Sequence, residues 1–382
     1  MNKKVNIYLM YTIIFLQGLV FYGPVATVYR QNRNLSLSNI FIIESISWIL
    51  MIVFEIPWGW FADKFGYKKT LVISNFIFFI SKIVFYKAYS FEMFFLERVL
   101  LSVSLAGISG CDTALIYSSV KEEESEKVFG IYNALSNVGY LIASIIFSIL
   151  IKKSMDSTAF WTIIPYAVAA ILTLFIKEVN VKREEKTSFK QSLLTALKNK
   201  SIIILVVSFA LINEVVQAVS VFLNQSQYLR SGINIKYFGV LAVVMQIARL
   251  SSFKSYKFSS KLGKDRSIQI LYIIIGICCT TLVFTANATI TILSIIIICG
   301  SEAVIYPMIL EIENRSINNV DRATLLSVFA VFGDITAAGA NVIIGKTADI
   351  SVSSSFITCV VMCVCAYILL FVYKNESKRL KE

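Results

Sequence analysis

The sequence contains no histidine in its 382 residues. Imidazole is therefore excluded from every metal site, proton relay or acyl-transfer mechanism that this chain could use. Charged residues are also few, since 16% of the chain is Asp, Glu, Lys or Arg, whereas an average soluble domain has about 25%. The low proportion of charged residues argues against a soluble globular protein.

Cofactor and metal motifs are absent as well. The seven cysteines all fall inside apolar stretches, and their spacing matches neither a disulfide framework nor a metal site. We expect them to act as small buried hydrophobic side chains. No phosphate-binding loop and no acidic metal cluster lies outside the apolar stretches, so we expect no cofactor, no metal and no nucleotide-driven pump.

The chain is instead rich in apolar residues, which make up 57% of it and give a mean hydropathy of +0.73. A transmembrane helix needs about 20 consecutive apolar residues. The first such stretch follows lysines but lacks a cleavage site, so we interpret it as an uncleaved helix. Together the stretches predict an all-α polytopic membrane protein with 12 transmembrane helices. They lie at 5–26, 39–61, 70–88, 93–118, 128–151, 158–176, 201–223, 236–256, 267–286, 288–310, 323–345 and 353–373.

The basic residues indicate how the predicted helices are oriented. An even number of spans places both termini on one side, which we expect to be the cytoplasm. Of the 36 Lys and Arg residues, three lie within apolar stretches away from their ends, and eight lie at or beyond the ends on the opposite side. Most therefore lie with the termini, as the positive-inside rule requires. The net charge of +12 is thus a topology signal, and we expect no nucleic-acid partner.

A polar stretch near the middle of the chain separates six apolar stretches from the other six. We expect an N-terminal six-helix bundle at 1–176, a linker at 177–200, a C-terminal six-helix bundle at 201–373 and a cytoplasmic tail at 374–382. Residues 187–197 of the linker carry Phe and Leu at helical spacing. This pattern predicts either a helix lying along the cytoplasmic face or a solvated segment.

The two halves show a faint internal repeat. When Gly66 is aligned with Gly263, the segment after the second apolar stretch matches the segment after the eighth at several positions. Ser260 stands opposite Asp63, so the second copy lacks the acidic residue. Duplicated halves around a central site are common among transporters.

The segment between the second and third apolar stretches has the pattern G-x-x-x-D-x-x-G-x-K-K. Two helices joined this closely must pack antiparallel, and we expect both glycines of the pattern to make the turn, because glycine permits close approach and positive φ. The pattern resembles the signature loop of the major facilitator superfamily of secondary transporters; an ordinary basic turn is the alternative. The matching residues are Gly59, Asp63, Gly66, Lys68 and Lys69.

This resemblance implies a fold and a mechanism. Members of the superfamily have two pseudo-symmetric six-helix bundles around a midplane site that opens alternately to each face. The resemblance implies a latch in which Asp63 docks at the start of the eleventh span near Arg322, where a positive helix end favours an anion. Further stretches are similar to bacterial drug:proton antiporters. Residues 137–144 in the fifth span lack the proline of the antiporter motif, and this departure argues against proton antiport.

Ionisable side chains occur inside the apolar stretches, where each costs about 2.5 to 3.5 kcal/mol and therefore needs a partner, a cavity or a function. Glu44 and Glu55 are three helical turns apart and share a face, and the spacing of Arg98 and Asp112 places them within about 40° of each other. Arg98 also resembles the span-four arginine that antiporters place near the proton site, and for Glu55 we favour a structural salt bridge. The candidate coupling or cavity charges are Glu44, Glu55, Arg98, Asp112, Glu214, Glu302 and Asp334, with Lys82 and Arg249 as expected partners of the carboxylates.

Aromatic residues are plentiful, and most are expected to face lipid or the membrane interfaces. A ring face attracts cations, so a few of them could line a cavity for an apolar or cationic ligand. The candidates are Tyr22, Tyr117, Tyr140 and Tyr306, together with Phe222 and Phe332.

These observations favour a monomeric secondary transporter of the bacterial cytoplasmic membrane. We expect its substrate to be a small amphipathic compound that is exported in exchange for protons. Uptake of a nutrient or a peptide-like metabolite, or export without protons, is the alternative within transport. A membrane-embedded transferase acting on a lipid-linked substrate and a receptor or scaffold built on the same fold are alternatives from other classes.

Overall fold

The computed structural model describes residues 3–120, 122–179, 200–315 and 322–379, with side chains for 4–120, 124–179, 200–315 and 328–376. This part of the chain consists of helices and short connections, without a strand. Twelve helices in it are long and apolar enough to cross a membrane, so the predicted fold class and number of spans are confirmed. Residues 187–197 lie outside the described part. The spans are Lys4–Gln31, Leu37–Phe65, Tyr67–Lys87, Phe91–Ser119, Glu124–Leu150, Met155–Thr173, Lys200–Arg230, Ile235–Leu262, Lys264–Phe284, Ala288–Arg315, Val328–Ile350 and Val352–Glu376.

Four of these spans are interrupted helices. Such breaks release backbone groups from the regular hydrogen-bond ladder and often mark functional sites. The first span consists of Lys3–Gly18, a 3-10 turn at Gly23–Val25 and Ala26–Gln31, and the fourth of Phe91–Ile108 and Cys111–Ser119. The seventh contains Lys200–Gln217, a π-helical segment at Ala218–Leu223 and Asn224–Arg230, and the eighth contains Ile235–Tyr237, Phe238–Arg249, Leu250–Lys254 and Ser255–Leu262. The remaining helices are continuous, with Glu122–Leu150, Arg322–Ile350 and Val352–Arg379 as the full extents of the fifth, eleventh and twelfth.

The described residues group into two compact units. Each unit contains most of six consecutive spans together with the first part of one span from the other half of the sequence. Unit 1 holds residues 3–35, 46–179 and 235–243, and unit 2 holds residues 36–45, 200–234 and 244–379, apart from the gaps given above.

Specific contacts place the start of the second span in unit 2. Asp349 accepts a hydrogen bond from the backbone amide of Ser38 at 2.9 Å. The Phe41 ring packs against Phe222, with ring centroids 5.0 Å apart. Close approach is possible because Gly345 has no side chain, and a Cβ there would come within 2.6 Å of the Phe41 Cβ.

Unit 1 uses glycine in the same way. A Cβ on Gly18 would lie 3.1 Å from the Cα of Gly139, and one on Gly139 would lie 3.0 Å from the Cα of Gly18. The first and fifth spans therefore meet backbone to backbone, which is how helices associate closely in a membrane. Gly139 belongs to the stretch that lacks the antiporter proline.

The signature segment turns at a single residue. The second helix continues without interruption through Phe65, and the third begins at Tyr67. Gly66 between them has a φ of 93°, a conformation that suits glycine. The expectation that Gly59 shares the turn is wrong, because Gly59 lies inside the second helix and a Cβ there would have no neighbour within 4 Å.

A carboxylate from beyond the sixth span caps this turn. Glu178 accepts hydrogen bonds from the backbone amides of Tyr67 at 3.0 Å and Lys68 at 3.1 Å. These amides belong to the positive end of the third helix, where an anion is stabilised. A Cβ on Gly66 would collide with the Glu178 carboxyl group, so Gly66 provides both the turn and the space for its cap.

The residue before Glu178 is also fixed. The Asn6 side chain donates to the carbonyl of Lys177 and accepts from its amide, both at 2.9 Å. The chain that follows the sixth span is thus hydrogen-bonded to the first span and to the start of the third.

The cysteines follow their expected role with one exception. Six of them are buried, whereas Cys365 is exposed on the twelfth span. Helical spacing explains the difference, because Cys363 is buried on the same helix and Cys365 lies two residues, or about 200°, further around it.

Replacing Gly66 by Ala should lower the thermal unfolding temperature of the detergent-solubilised protein, because the substitution strains the backbone and displaces Glu178. Gly263→Ala is the matched control, since Gly263 has a φ of 80° but a Cβ there would have no neighbour within 4 Å. Gly59→Ala should have no adverse effect, since Ala suits a helix interior better than Gly. Equal losses for Gly66→Ala and Gly263→Ala would show that the Glu178 cap contributes nothing.

Candidate functional site

The most deeply buried acidic group of unit 2 is Glu214, on the seventh span. Its side chain has no exposed surface, and neither carboxyl oxygen has a hydrogen-bond partner within the usual limits. The Asn341 amide on the eleventh span interacts with it electrostatically, but both polar atoms of Asn341 also lack a partner with hydrogen-bond geometry. An ionised carboxylate in such surroundings is costly.

Two further carboxylates act on Glu214. Glu44, at the start of the second span, is 8% exposed, and Asp334 is half-buried on the eleventh. Both interact with Glu214 as like charges. Three of the seven predicted charges therefore belong to one cluster, which we call the unit 2 carboxylate cluster: Glu44, Glu214 and Asp334, with Asn341. Sequence reasoning missed Asn341, although it lies seven residues after Asp334 and hence on the same helical face.

The break in the seventh span leads to a second charged group. In the π-helical segment, Ser220 accepts a hydrogen bond from Arg249 at 3.1 Å. The same guanidinium pairs with Glu302 on the tenth span at 3.0 Å. The expectation that Arg249 is the partner of a carboxylate is confirmed. This bridge connects the seventh, eighth and tenth spans within unit 2.

Lys82 was predicted to pair with a carboxylate, but the structure places it among aromatic side chains. Its ammonium group donates to the Tyr22 hydroxyl at 3.0 Å and lies 4.9 Å from the Phe78 ring centroid and 5.1 Å from that of Tyr166. Rings attract a cation through their electron-rich faces. Among the described residues Lys82 is thus held in unit 1 by aromatic groups.

Unit 1 contains a buried acidic residue that the sequence analysis missed. Glu97 on the fourth span is 1% exposed and lies 3.8 Å from Arg30 of the first span. Its signal was present in the sequence, since Glu97 lies three residues after Phe94 and seven before Ser104, and all three share the buried helical face. The neighbouring Arg98, which was predicted, is half-buried.

The fourth span does not support the predicted alignment of Arg98 with Asp112. Its helix ends at Ile108 and restarts at Cys111, with Gly110 at a φ of 76°. The angle between the two residues was derived for a continuous helix, so the derivation fails at this break. Asp112 instead lies in the first turn of the second segment, where it accepts from the Thr113 amide at 2.6 Å and from the Tyr132 hydroxyl at 2.9 Å.

Most residues of the predicted latch lie at or near the surface of unit 1, whereas Arg322 belongs to unit 2. Asp63 and Lys69 are exposed, and Lys68 is half-buried beside the Glu178 cap. Arg322 begins the eleventh helix, and its side chain lies outside the described residues. The contact between Asp63 and Arg322 therefore stays a prediction. Glu55, which was assigned to a salt bridge, is exposed on the second span.

The candidate aromatics are not gathered at one place. Tyr22 is buried against Lys82, and the Tyr140 ring packs against the backbone at Gly23. Tyr117 is 54% exposed and lines a shallow cleft of about 400 Å³ between the fourth and fifth spans. Tyr306 is half-exposed in unit 2, near Phe209. A single aromatic cage formed by all four is therefore not found in either unit.

Metal ligation has little support in the described part of the chain. There, no three Cys, Asp or Glu side chains come together in a way that could hold a metal ion.

Comparison with known proteins identifies the family. The family model described as Major Facilitator Superfamily matches residues 7–341. Among solved structures, the nucleoside transporter NupG superposes with a TM-score of 0.79 at 15% identity, covering 98% of this chain and 99% of that one. A bacterial homologue of the human lysosomal transporter Spinster, in an inward-facing and unoccupied conformation, superposes with a TM-score of 0.76 at 15% identity, covering 97% and 96%. At this identity the likeness shows the fold alone.

Curated relatives match shorter segments. An uncharacterized transporter of Buchnera aphidicola subsp. Schizaphis graminum is 23% identical over 201 residues, which are 50% of this chain and 51% of the relative. Quinolone resistance protein NorA of Staphylococcus aureus is 27% identical over 144 residues, or 37% of each chain. The matched segment thus spans about half of the first relative and less of the second.

Replacing Arg249 by Met should lower the thermal unfolding temperature, because it leaves Glu302 buried without its counter-charge. Breaking a fully buried pair costs about 3 to 5 kcal/mol, and the effect here should be smaller because the Arg249 side chain is 36% exposed. The double variant Arg249→Met/Glu302→Met should regain part of the loss.

Arg315→Met is the matched control, since Arg315 is 76% exposed and pairs with Glu311 at the surface, where such pairs contribute little. If Arg249→Met were as stable as Arg315→Met, the Arg249–Glu302 bridge would have no structural importance.

Proposed function

This chain belongs to the Major Facilitator Superfamily and is a multi-pass membrane transporter, and from that premise we propose that it exports a small amphipathic compound in exchange for protons. We further propose that residues 1–176 and 201–373 form the two six-helix bundles of the carrier, with both termini in the cytoplasm and the monomer as the working form. Alternating access around a midplane site is the mechanism that this architecture supports.

We propose proton coupling because Glu214 is fully buried. A carboxyl group with no exposed surface and no cation within ion-pair distance among the described residues is tolerated far better in its neutral form. The like charges of Glu44 and Asp334 add to the cost of ionising it. Opening of the site to water would lower that cost and release the proton. Binding and release of one proton per cycle is what an antiporter requires.

The direction of transport is proposed from the relatives. NorA is named a quinolone resistance protein, and resistance to an amphipathic drug is what export of that drug would produce. NupG is named a nucleoside transporter, and uptake of a small metabolite is the alternative that a flux assay must test. The missing proline at 137–144 distinguishes this chain from the antiporter motif, although Gly139 there serves the contact with the first span.

The decisive experiment uses proteoliposomes with an imposed pH gradient and a panel of lipophilic cations and small metabolites. A luminal pH dye should report proton movement when the transported compound is added. The sign of the dye signal shows whether the protons move against the compound, as in exchange, or together with it. Proton movement coupled to uptake would replace export by the alternative. Flux without any proton movement would overturn proton coupling.

Replacing Glu214 by Gln should abolish substrate accumulation driven by the pH gradient, because the amide cannot carry a proton. Exchange of labelled for unlabelled substrate at equal pH should persist, and this exchange also shows that the variant is folded. Glu92→Gln, which removes an exposed carboxylate from the first turn of the fourth span, should keep both activities. Full gradient-driven accumulation by Glu214→Gln would assign the proton to another group.

The latch is proposed from the signature pattern. In the state closed to the cytoplasm, Asp63 would dock on the positive start of the eleventh helix near Arg322, and Lys68 and Lys69 would add contacts. Asp63→Asn removes the charge and keeps the shape. This variant should transport more slowly at an unchanged expression level, as measured by initial flux in proteoliposomes. A wild-type flux would exclude a latch role for Asp63.

A further inference from the structure

The eighth span ends in a basic amphipathic segment that the proposed transport function does not use. It comprises the 3-10 turn Leu250–Lys254 and the helix Ser255–Leu262. Lys254, Lys257 and Lys261 follow one another at intervals of three and four residues, so they lie on one helical face.

These lysines line a groove of about 550 Å³ whose other walls are apolar. The complete lining is Phe253, Lys254, Lys257, Phe258, Lys261 and Leu262. Phe253 is 75% exposed, so its ring is available to an apolar ligand. An apolar floor with ammonium groups along it, and no acidic residue in the lining, matches a molecule with a hydrophobic chain and an anionic head.

The positive charge of this groove is not compensated within the described part of the chain. Lys254 contacts the Phe253 ring at 5.7 Å, and none of the three lysines has a carboxylate within ion-pair distance there. The next lysine in the sequence behaves differently, since Lys264 pairs with Glu311 at 2.6 Å. The three lysines of the groove therefore differ from Lys264 in having no counter-charge in the described part of the chain.

The turn at Gly263, which follows the groove, can be compared with the equivalent turn at Gly66 in unit 1. There Glu178 caps the third helix beside Gly66. Gly263 has a similar φ of 80° before the ninth helix, but no side-chain cap of that helix is found among the described residues, and a Cβ on Gly263 would have no neighbour within 4 Å. Ser260 replaces the acidic residue of the signature pattern. The second turn thus has space where the first has the Glu178 carboxylate, and Asp265 in the first turn of the ninth helix is the acidic residue nearest to it in the sequence.

We propose that this groove, formed by Phe253, Phe258, Leu262 and the three lysines, is a binding site for an anionic phospholipid. The acyl chain lies along the apolar residues, and the phosphate lies among the ammonium groups. The end of a membrane span is where such head groups are found, and basic residues near the cytoplasmic surface attract them. On the orientation proposed above, the groove faces the cytoplasmic leaflet.

The test compares lipid binding by native mass spectrometry of the full-length protein in detergent. Phosphatidylglycerol should be retained in preference to phosphatidylcholine with the same acyl chains. The variant Lys254→Gln/Lys257→Gln/Lys261→Gln should lose this preference, with roughly fivefold weaker binding for each lysine replaced. Lys87→Gln/Lys152→Gln/Lys153→Gln, which removes three exposed lysines elsewhere, should bind as the wild type does.

Two further measurements test whether the lipid binds in the groove. Phe253→Ser should weaken phosphatidylglycerol binding while leaving the elution volume in size-exclusion chromatography unchanged, because it removes the apolar contact of the acyl chain. Inorganic phosphate at the same concentration should not displace the lipid. Equal retention of the two lipids by the wild type, an unaffected triple variant at the groove, or displacement by phosphate alone would each overturn the proposal. The readout is binding, so it is independent of any transport activity.

Discussion

The absence of water in the hydrocarbon region is the constraint on which this structure depends. A charge placed there must find its partner within the protein. Arg249 pairs with Glu302, and Lys82 is surrounded by Tyr22 and two further rings. Glu214 differs, because it is fully buried and lacks a counter-charge among the described residues. Among the described residues, the Glu97 carboxyl oxygens also lack a hydrogen bond, but Glu97 lies 3.8 Å from Arg30, so Glu214 is the group that we propose for reversible protonation.

The fold could be predicted because the same constraint acts on the sequence. Each span must satisfy its own backbone, so it must be a helix of sufficient length and apolar composition. These properties are local, and the twelve predicted stretches agree closely with the observed spans. The predicted second stretch ended at Phe61, whereas the helix continues to Phe65, because charged residues at the membrane surface remain helical without being apolar.

The candidate site was less predictable because it depends on contacts between distant segments. The break at Gly110 and the π-helical segment at Ala218–Leu223 interrupt patterns that look continuous in the sequence. Glu178 was assigned to a linker, and only the fold shows that it reaches the start of the third helix. Hydropathy identified most of the acidic residues within the spans, but it missed Glu97 and could not show that Glu214 and Glu44 interact.

The attachment of Lys177 and Glu178 has a mechanical consequence for the polypeptide that joins the two halves. A force on that connection acts first on the hydrogen bonds that Lys177 and Glu178 make with Asn6 and with the amides that follow Gly66. Only then does it act on the sixth helix. A force along that connection would therefore act on the same corner that carries the signature residues. The covalent link to the second half of the sequence and the signature turn thus share one anchoring point, at Lys177 and Glu178.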